Sequence, residues 1–168
     1  MTNKYIKEEF YQQLSETITT LRKRNAIIVM GEINAKFGPN NEGLEHAMGR
    51  HEIGNMNVNG KLFSELCASH DLIIGGTVFP HKTYHKVSWV SPDNITENEI
   101  HHIAISRRFR RSLLVVRNRR GADIASDHHL MIANFRFKIL AARSKNEIRR
   151  KKYNAQKLQI PSLKESLG

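Results

Sequence analysis

One cysteine, Cys67, is all that 168 residues provide. An internal disulfide framework and a cysteine-rich zinc site are both excluded. A lone thiol suits a reducing compartment, and Cys67 falls in a helical pattern, where a small apolar residue belongs. Aromatic residues are also scarce, at 7% against 39% hydrophobic overall, so the core must be aliphatic. No apolar run approaches the ~20 residues that cross a bilayer. The first twenty residues are polar and charged, without the apolar stretch of a signal peptide. These absences predict an intracellular protein, in nucleus or cytoplasm, that does not engage a membrane. Acid is the last shortage: Asp+Glu 16 against Lys+Arg 27 leaves a formal net charge of +11. That balance favours a polyanionic partner, nucleic acid before anionic lipid. A basic protein with no particular partner is the plain alternative.

Periodicity supplies the elements. Ile6, Phe10, Leu14, Ile18 and Leu21 recur at helical spacing and predict an amphipathic helix over 4–21. Ala26–Met30 is a short β-branched run of the buried-strand type. Residues 34–57 hold no sustained period and read as a long surface loop. Asn59-Gly60 precedes a second helix with Leu62, Phe63, Leu66 and Cys67 on one face. Leu72–Ile74 reads as a buried strand. Trp89 lies in a strand-like stretch that ends in the turn signal Ser91-Pro92-Asp93-Asn94. Further strands are expected at Ile100–Ile105, Leu113–Val116 and Leu130–Phe137. The mixture predicts an α/β or α+β class. From about residue 138 basic residues crowd a polar segment. This predicts a core unit over 1–138 and a basic helical linker or tail over 139–168.

Two places carry the chemistry. At Gly31-Glu32-Ile33-Asn34 an apolar run ends in a carboxylate that could hold a divalent cation or take a proton from water. Asn34, two residues on, shares the side of Glu32 if the chain stays extended, and could donate to a phosphate oxygen. A polar turn after a strand explains the pair about as well. At Ser126-Asp127-His128-His129, Asp127 offers a hard oxygen for a metal and His128 an imidazole for a phosphoryl oxygen. A surface turn is the competing reading. Arg107, Arg108, Arg110, Arg111, Arg117, Arg119 and Arg120 form a third feature, seven arginines in fourteen residues with no acid between His101 and Ala122. Guanidinium groups grip phosphates in forked geometry, though charge also protects an edge strand. Other patterns carry less. Asn55–Gly60 opens like a calcium loop but lacks its carboxylates, and suits helix capping better. His81 and His85 have zinc spacing without a third ligand.

Together the motifs resemble the endonuclease/exonuclease/phosphatase superfamily, the deoxyribonuclease I-like phosphodiesterases. The likeness is closer to the endonuclease domains of non-long-terminal-repeat retrotransposons. It rests on Ile28–Gly38, Asn57–Gly60, His85–Pro92 around Trp89, Glu97–Ile103 and Arg120–Leu130, in that order. The resemblance implies a four-layer α/β sandwich, Mg2+-dependent cleavage of DNA, and a reverse transcriptase downstream in the parent polyprotein. By position, Glu32 stands where an Asp aligns the attacking water, and Asn34 where an Asn supports the phosphate. Asp127 stands at the metal-proximal acid, and His128 at the imidazole that stabilises the transition state. His101 stands where an Asp orients that imidazole.

Three departures predict impaired catalysis. Glu32 for Asp moves the carboxylate by about an ångström, which can cost on the order of 100-fold. A ring at His101 cannot support a second cationic ring; losing such a carboxylate costs roughly 100- to 10,000-fold. Nothing before residue 24 matches the family's early Asn and metal-binding Glu, so the N-terminal half of the sandwich is expected to be missing. Asp127 alone would make a poor Mg2+ site, and apolar strand faces would meet water, so the chain should be of low stability by itself. The competing functions are a non-catalytic nucleic-acid-binding module and a non-functional relic of a mobile element.

Overall fold

Apolar runs in the first two thirds of the chain assemble around one central strand. The computed structural model of the protein describes residues 2–121 and 126–138. The basic segment expected over 139–168, and residues 122–125 of the last motif, lie outside the described residues.

The element order is helix α1 (Thr2–Thr20), strand β1 (Ile28–Glu32), helix α2 (Val58–Ser69), strand β2 (Leu72–Ile74), strand β3 (Trp89–Val90), strand β4 (Glu97–Asn98), strand β5 (His101–Ser106), strand β6 (Leu113–Arg119) and strand β7 (Leu130–Phe135). β5 is the centre of a three-stranded antiparallel sheet of order β1-β5-β2. β6 and β7 form a separate antiparallel pair, and β3 and β4 a short ladder. The class is mixed α/β.

Alternation along β5 feeds two cores. Ala104 joins Phe37, Met48, Phe63, Leu66, Cys67, Leu72 and Ile74 on the helical side. Ile105 joins Leu113 and Val116 on the other, with Met131, Ala133 and Phe135 of β7 packed against them. Each fully buried Phe or Met stabilises the fold by ~1.5–3 kcal/mol. Cys67 is buried, and burial pushes its thiol up and away from reactivity.

α2 begins where Asn57 caps it: the side-chain Oδ1 accepts from Gly60 N at 2.7 Å. An Asn caps the helix as expected, but it is Asn57, and Asn59-Gly60 lies within the first turn of α2 rather than before it. Glycine is required at position 60 because a Cβ there would lie 2.1 Å from Lys36 O.

Four expectations are corrected. The buried stripe of α1 is Tyr11 and Ile18, with Leu14 packed alongside, whereas Ile6, Phe10 and Leu21 are exposed. The helix is rotated so that Tyr11 donates to Asn59 O and Ser15 meets His70 on and after α2. The run Ala26–Met30 is not buried: β1 is an edge strand and Met30 is 72% exposed. The 34–57 segment is irregular but not a surface loop. Ala35, Phe37, Ala47 and Met48 fill the core, and Asn41 Nδ2 donates to Met48 O at 3.0 Å. Finally, Arg107–Ser112 is a 3-10 turn joining β5 to β6, so the edge-strand reading of the arginine run holds only for Arg117 and Arg119 on β6, which pairs with β7 alone.

Candidate active site

One end of β5 gathers the residues singled out from sequence. The register pairs Glu32 at the end of β1 directly with His101 at the start of β5. Paired residues of an antiparallel ladder put their side chains on the same face, so these two must meet. His101 Nε2 lies 3.6 Å from Glu32 Oε2.

The third member arrives from the segment before β7. An isolated bridge joins His128 to Trp89, with Val90 N donating to Asp127 O at 3.1 Å and His129 N to Ser88 O at 2.8 Å. This stitching brings His128 Nδ1 to 3.0 Å from His101 Nε2 and 3.7 Å from Glu32 Oε2. The two rings stack with centroids 5.0 Å apart. Two imidazole nitrogens at that distance share one proton, so one ring donates and the other accepts.

Asn34 falls beside Glu32, but not for the reason of strand alternation. Its φ is +53, so the chain leaves the extended conformation there. Asn tolerates this left-handed turn better than most residues. Its Nδ2 still donates to Glu32 Oε1 at 3.2 Å. Asn57 holds the turn from below: its Nδ2 donates to Asn34 O at 2.9 Å and its Oδ1 accepts from Lys36 N at 3.0 Å.

Asp127 stands next to the three-residue set rather than in it. Its Oδ2 accepts from the Trp89 indole N–H at 2.8 Å, and its Oδ1 lies 3.8 Å from His128 Nε2. Among the described residues, Glu32, His101 and His128 are the one group of three or more potential metal ligands whose donor atoms converge. His81 and His85 come together, with ring centroids 6.1 Å apart, but outside that group.

The arginine run divides between the two ends of the sheet. Arg107, Arg108, Arg110 and Arg111 follow the far end of β5, about 17 Å along the strand from His101. Arg107 pairs with Asp71 at 2.6 Å, Arg108 donates to Lys23 O, and Arg110 lies over the Phe79 ring. Arg119 sits opposite Leu130, at the same end of the β6–β7 pair as His128, with Arg117 two residues behind. Arg120 lines a cavity of about 350 Å3 with Asp127, His129 and Glu97, and pairs with Glu97 at 2.6 Å.

Two supports were not visible in the sequence. Ser88 is fully buried, and its Oγ accepts from Ile100 N and His101 N at 2.8 and 3.1 Å, fixing the start of β5. Behind it, Lys86 Nζ lies buried 3.3 Å from Glu52 Oε1 and donates to Gly76 O at 2.8 Å. Burial raises the Glu52 carboxyl, and burial plus the Glu52 charge raises Glu99 well above the carboxylate range. A serine and three charges spread over loops have no local signature.

No protein-family model matches the chain. Two curated relatives do: craniofacial development protein 2 of Bos taurus and of Tragulus javanicus, each 32% identical over 130 residues, or 77% of this chain. The chain spans only 22% of the length of those relatives. Among solved structures it is similar to a 3'-5' exonuclease (NExo) from Neisseria meningitidis, with a TM-score of 0.57 at 17% identity over 79% of this chain and 54% of that one. A Neisseria NExo structure described as a 3' phosphatase bound to product DNA hairpin gives 0.55 at 18% identity, over 77% and 53%. The fold is therefore similar to about half of an exonuclease/phosphatase fold.

Proposed function

We propose that this chain is the C-terminal part of a retrotransposon-type phosphodiesterase domain, a deoxyribonuclease I-like α/β sandwich, whose strand-cleaving activity is severely impaired. In the parent polyprotein it would precede a reverse transcriptase. The observation that carries this reading is the 3.0 Å contact between His128 and His101. A ring that stabilises a phosphorane needs a carboxylate behind it; here a second imidazole occupies that place. Glu32 would align water and Asn34 would support the phosphate, with DNA as the substrate class.

The Mg2+ that the resemblance implies is poorly served. Magnesium takes oxygen ligands in octahedral geometry. The converging donors here are two nitrogens and one carboxylate oxygen, and one Asp127 oxygen is committed to Trp89.

The test is relaxation of supercoiled plasmid with Mg2+, with chelator, and with His128→Ala. The expected result is no nicking above the chelator control. Nicking that requires both Mg2+ and His128 would overturn the impaired reading.

A second reading, a DNA-binding module without catalysis, is favoured by the exposed Arg117 and Arg119 on β6 and by the net charge of +11. Its mark is metal-independent binding that weakens steeply with salt.

A further inference from the structure

We propose that Glu32, His101 and His128 form a binding site for a first-row transition-metal ion of the Zn2+ class. Two imidazole nitrogens and one carboxylate oxygen would hold the ion. The three donor atoms are the same in every pairing: His101 Nε2, His128 Nδ1 and Glu32 Oε2. Their separations are 3.0, 3.6 and 3.7 Å. A point equidistant from corners so spaced lies about 2.0 Å from each, against the ~2.0–2.2 Å of Zn–N and Zn–O bonds. An ion can therefore enter at or just above the plane of the donors with little movement of the side chains.

The chemistry of the donor set selects the ion. Imidazole suits Zn2+, Co2+ and Ni2+, whereas Mg2+ prefers carboxylate, carbonyl and water. The side chains stay partly open to solvent, at 20% for His101, 31% for His128 and 44% for Glu32. Three protein ligands with a fourth, water-accessible position is the arrangement of an open zinc site.

A second observation supports the assignment. If His128 binds through Nδ1, its Nε2 must carry the proton. That Nε2 faces Asp127 Oδ1 at 3.8 Å, and Asp127 is itself anchored by the Trp89 indole at 2.8 Å. At that distance, beyond hydrogen-bond length, the carboxylate still attracts the ring N–H electrostatically and so favours this tautomer. The histidine that displaces the orienting acid thus becomes a ligand. Metal capture stands whether or not the chain cleaves DNA, because it rests on these distances alone.

Untagged full-length protein titrated with Co2+ and with Zn2+ tests the site. The expected result is one Co2+ per chain, with the strong visible absorption of a four- or five-coordinate ion, displaced by Zn2+ and unaffected by millimolar Mg2+. Glu32→Gln and His101→Ala each remove a strong ligand and should weaken binding by more than the ~10–100-fold typical of losing an outer-shell partner, while the His81→Ala/His85→Ala double variant binds as the parent does. Circular dichroism of each variant separates loss of the site from loss of the fold. Glu32→Gln touches only an exposed residue and keeps the test valid if His101→Ala fails to fold. Co2+ binding that survives Glu32→Gln, falls with the His81/His85 variant, or yields equally to Mg2+ would overturn the proposal, as would no binding at all.

Discussion

His101 and His102 are neighbours on β5 with opposite surroundings. His101 reaches the partly open site, whereas His102 is buried, donates from Nε2 to Ala35 O at 2.8 Å and packs edge-on against Phe37. Burial is the main cause that lowers its pKa from 6.5 to about 4. The folded state therefore holds fewer protons than the unfolded chain between those values. Its contribution to stability is complete above pH 6.5 and is lost as pH falls towards about 4. The loss amounts to about 3 kcal/mol. Urea unfolding at several pH values should show the protein losing that much relative to His102→Gln, and parallel curves would show that His102 does not stay neutral. At this scale the sequence singled out Glu32, Asn34, His101, Asp127 and His128, and the structure gathers these five at one end of β5. It did not display the left-handed turn at Asn34 or the division of labour between adjacent histidines, because backbone angles and facing depend on neighbours far along the chain.

Among the elements, α2 and β7 were readable because their apolar residues keep a period of 3.6 or 2, and β2 and β6 because each holds a short continuous apolar run. The burial of 34–57 was not, since Phe37 and Met48 are placed by contacts with α2, β2 and β5 and not by any local pattern. The turn into α2 gives a prediction whose sign is informative. By helix propensity alone, Gly60→Ala should stabilise α2 by ~1 kcal/mol. The Cβ would lie 2.1 Å from Lys36 O, a backbone atom of the segment that carries Asn34. Overpacking of this kind costs ~1–3 kcal/mol. The variant should unfold at lower urea than the parent, and a higher midpoint would show that the turn can yield.

Across the whole molecule, the buried Lys86 links segments that no sequence pattern connects. It meets Glu52 in the irregular segment and Gly76 after β2, and its carbonyl accepts from Asn118 of β6. Removing one partner of a buried ion pair costs ~3–5 kcal/mol. Lys86→Met should lower stability by that order in chemical denaturation. Adding Glu52→Gln should recover most of it, because no uncompensated charge is then left inside. A loss equal in the single and double variants would count against the pairing. This network matters more here because support on the β1 side is thin. Met30 and Ile28 of the edge strand are exposed. The fold was legible in outline as an α/β arrangement. Its likeness to about half of a DNA-processing enzyme came from several weak motifs in fixed order, none sufficient alone.

The solitary thiol acquires a use from its position. Cys67 lies at zero exposure on the inner face of α2, among Phe37, Phe63 and Met48. A reagent in solution reaches that sulfur only when the helix lifts from the sheet. With no second cysteine to confuse the signal, each covalent label records one opening of the core. The chain thus carries its own clock for local unfolding, set beneath the helix whose first turn holds the Asn34 turn in place.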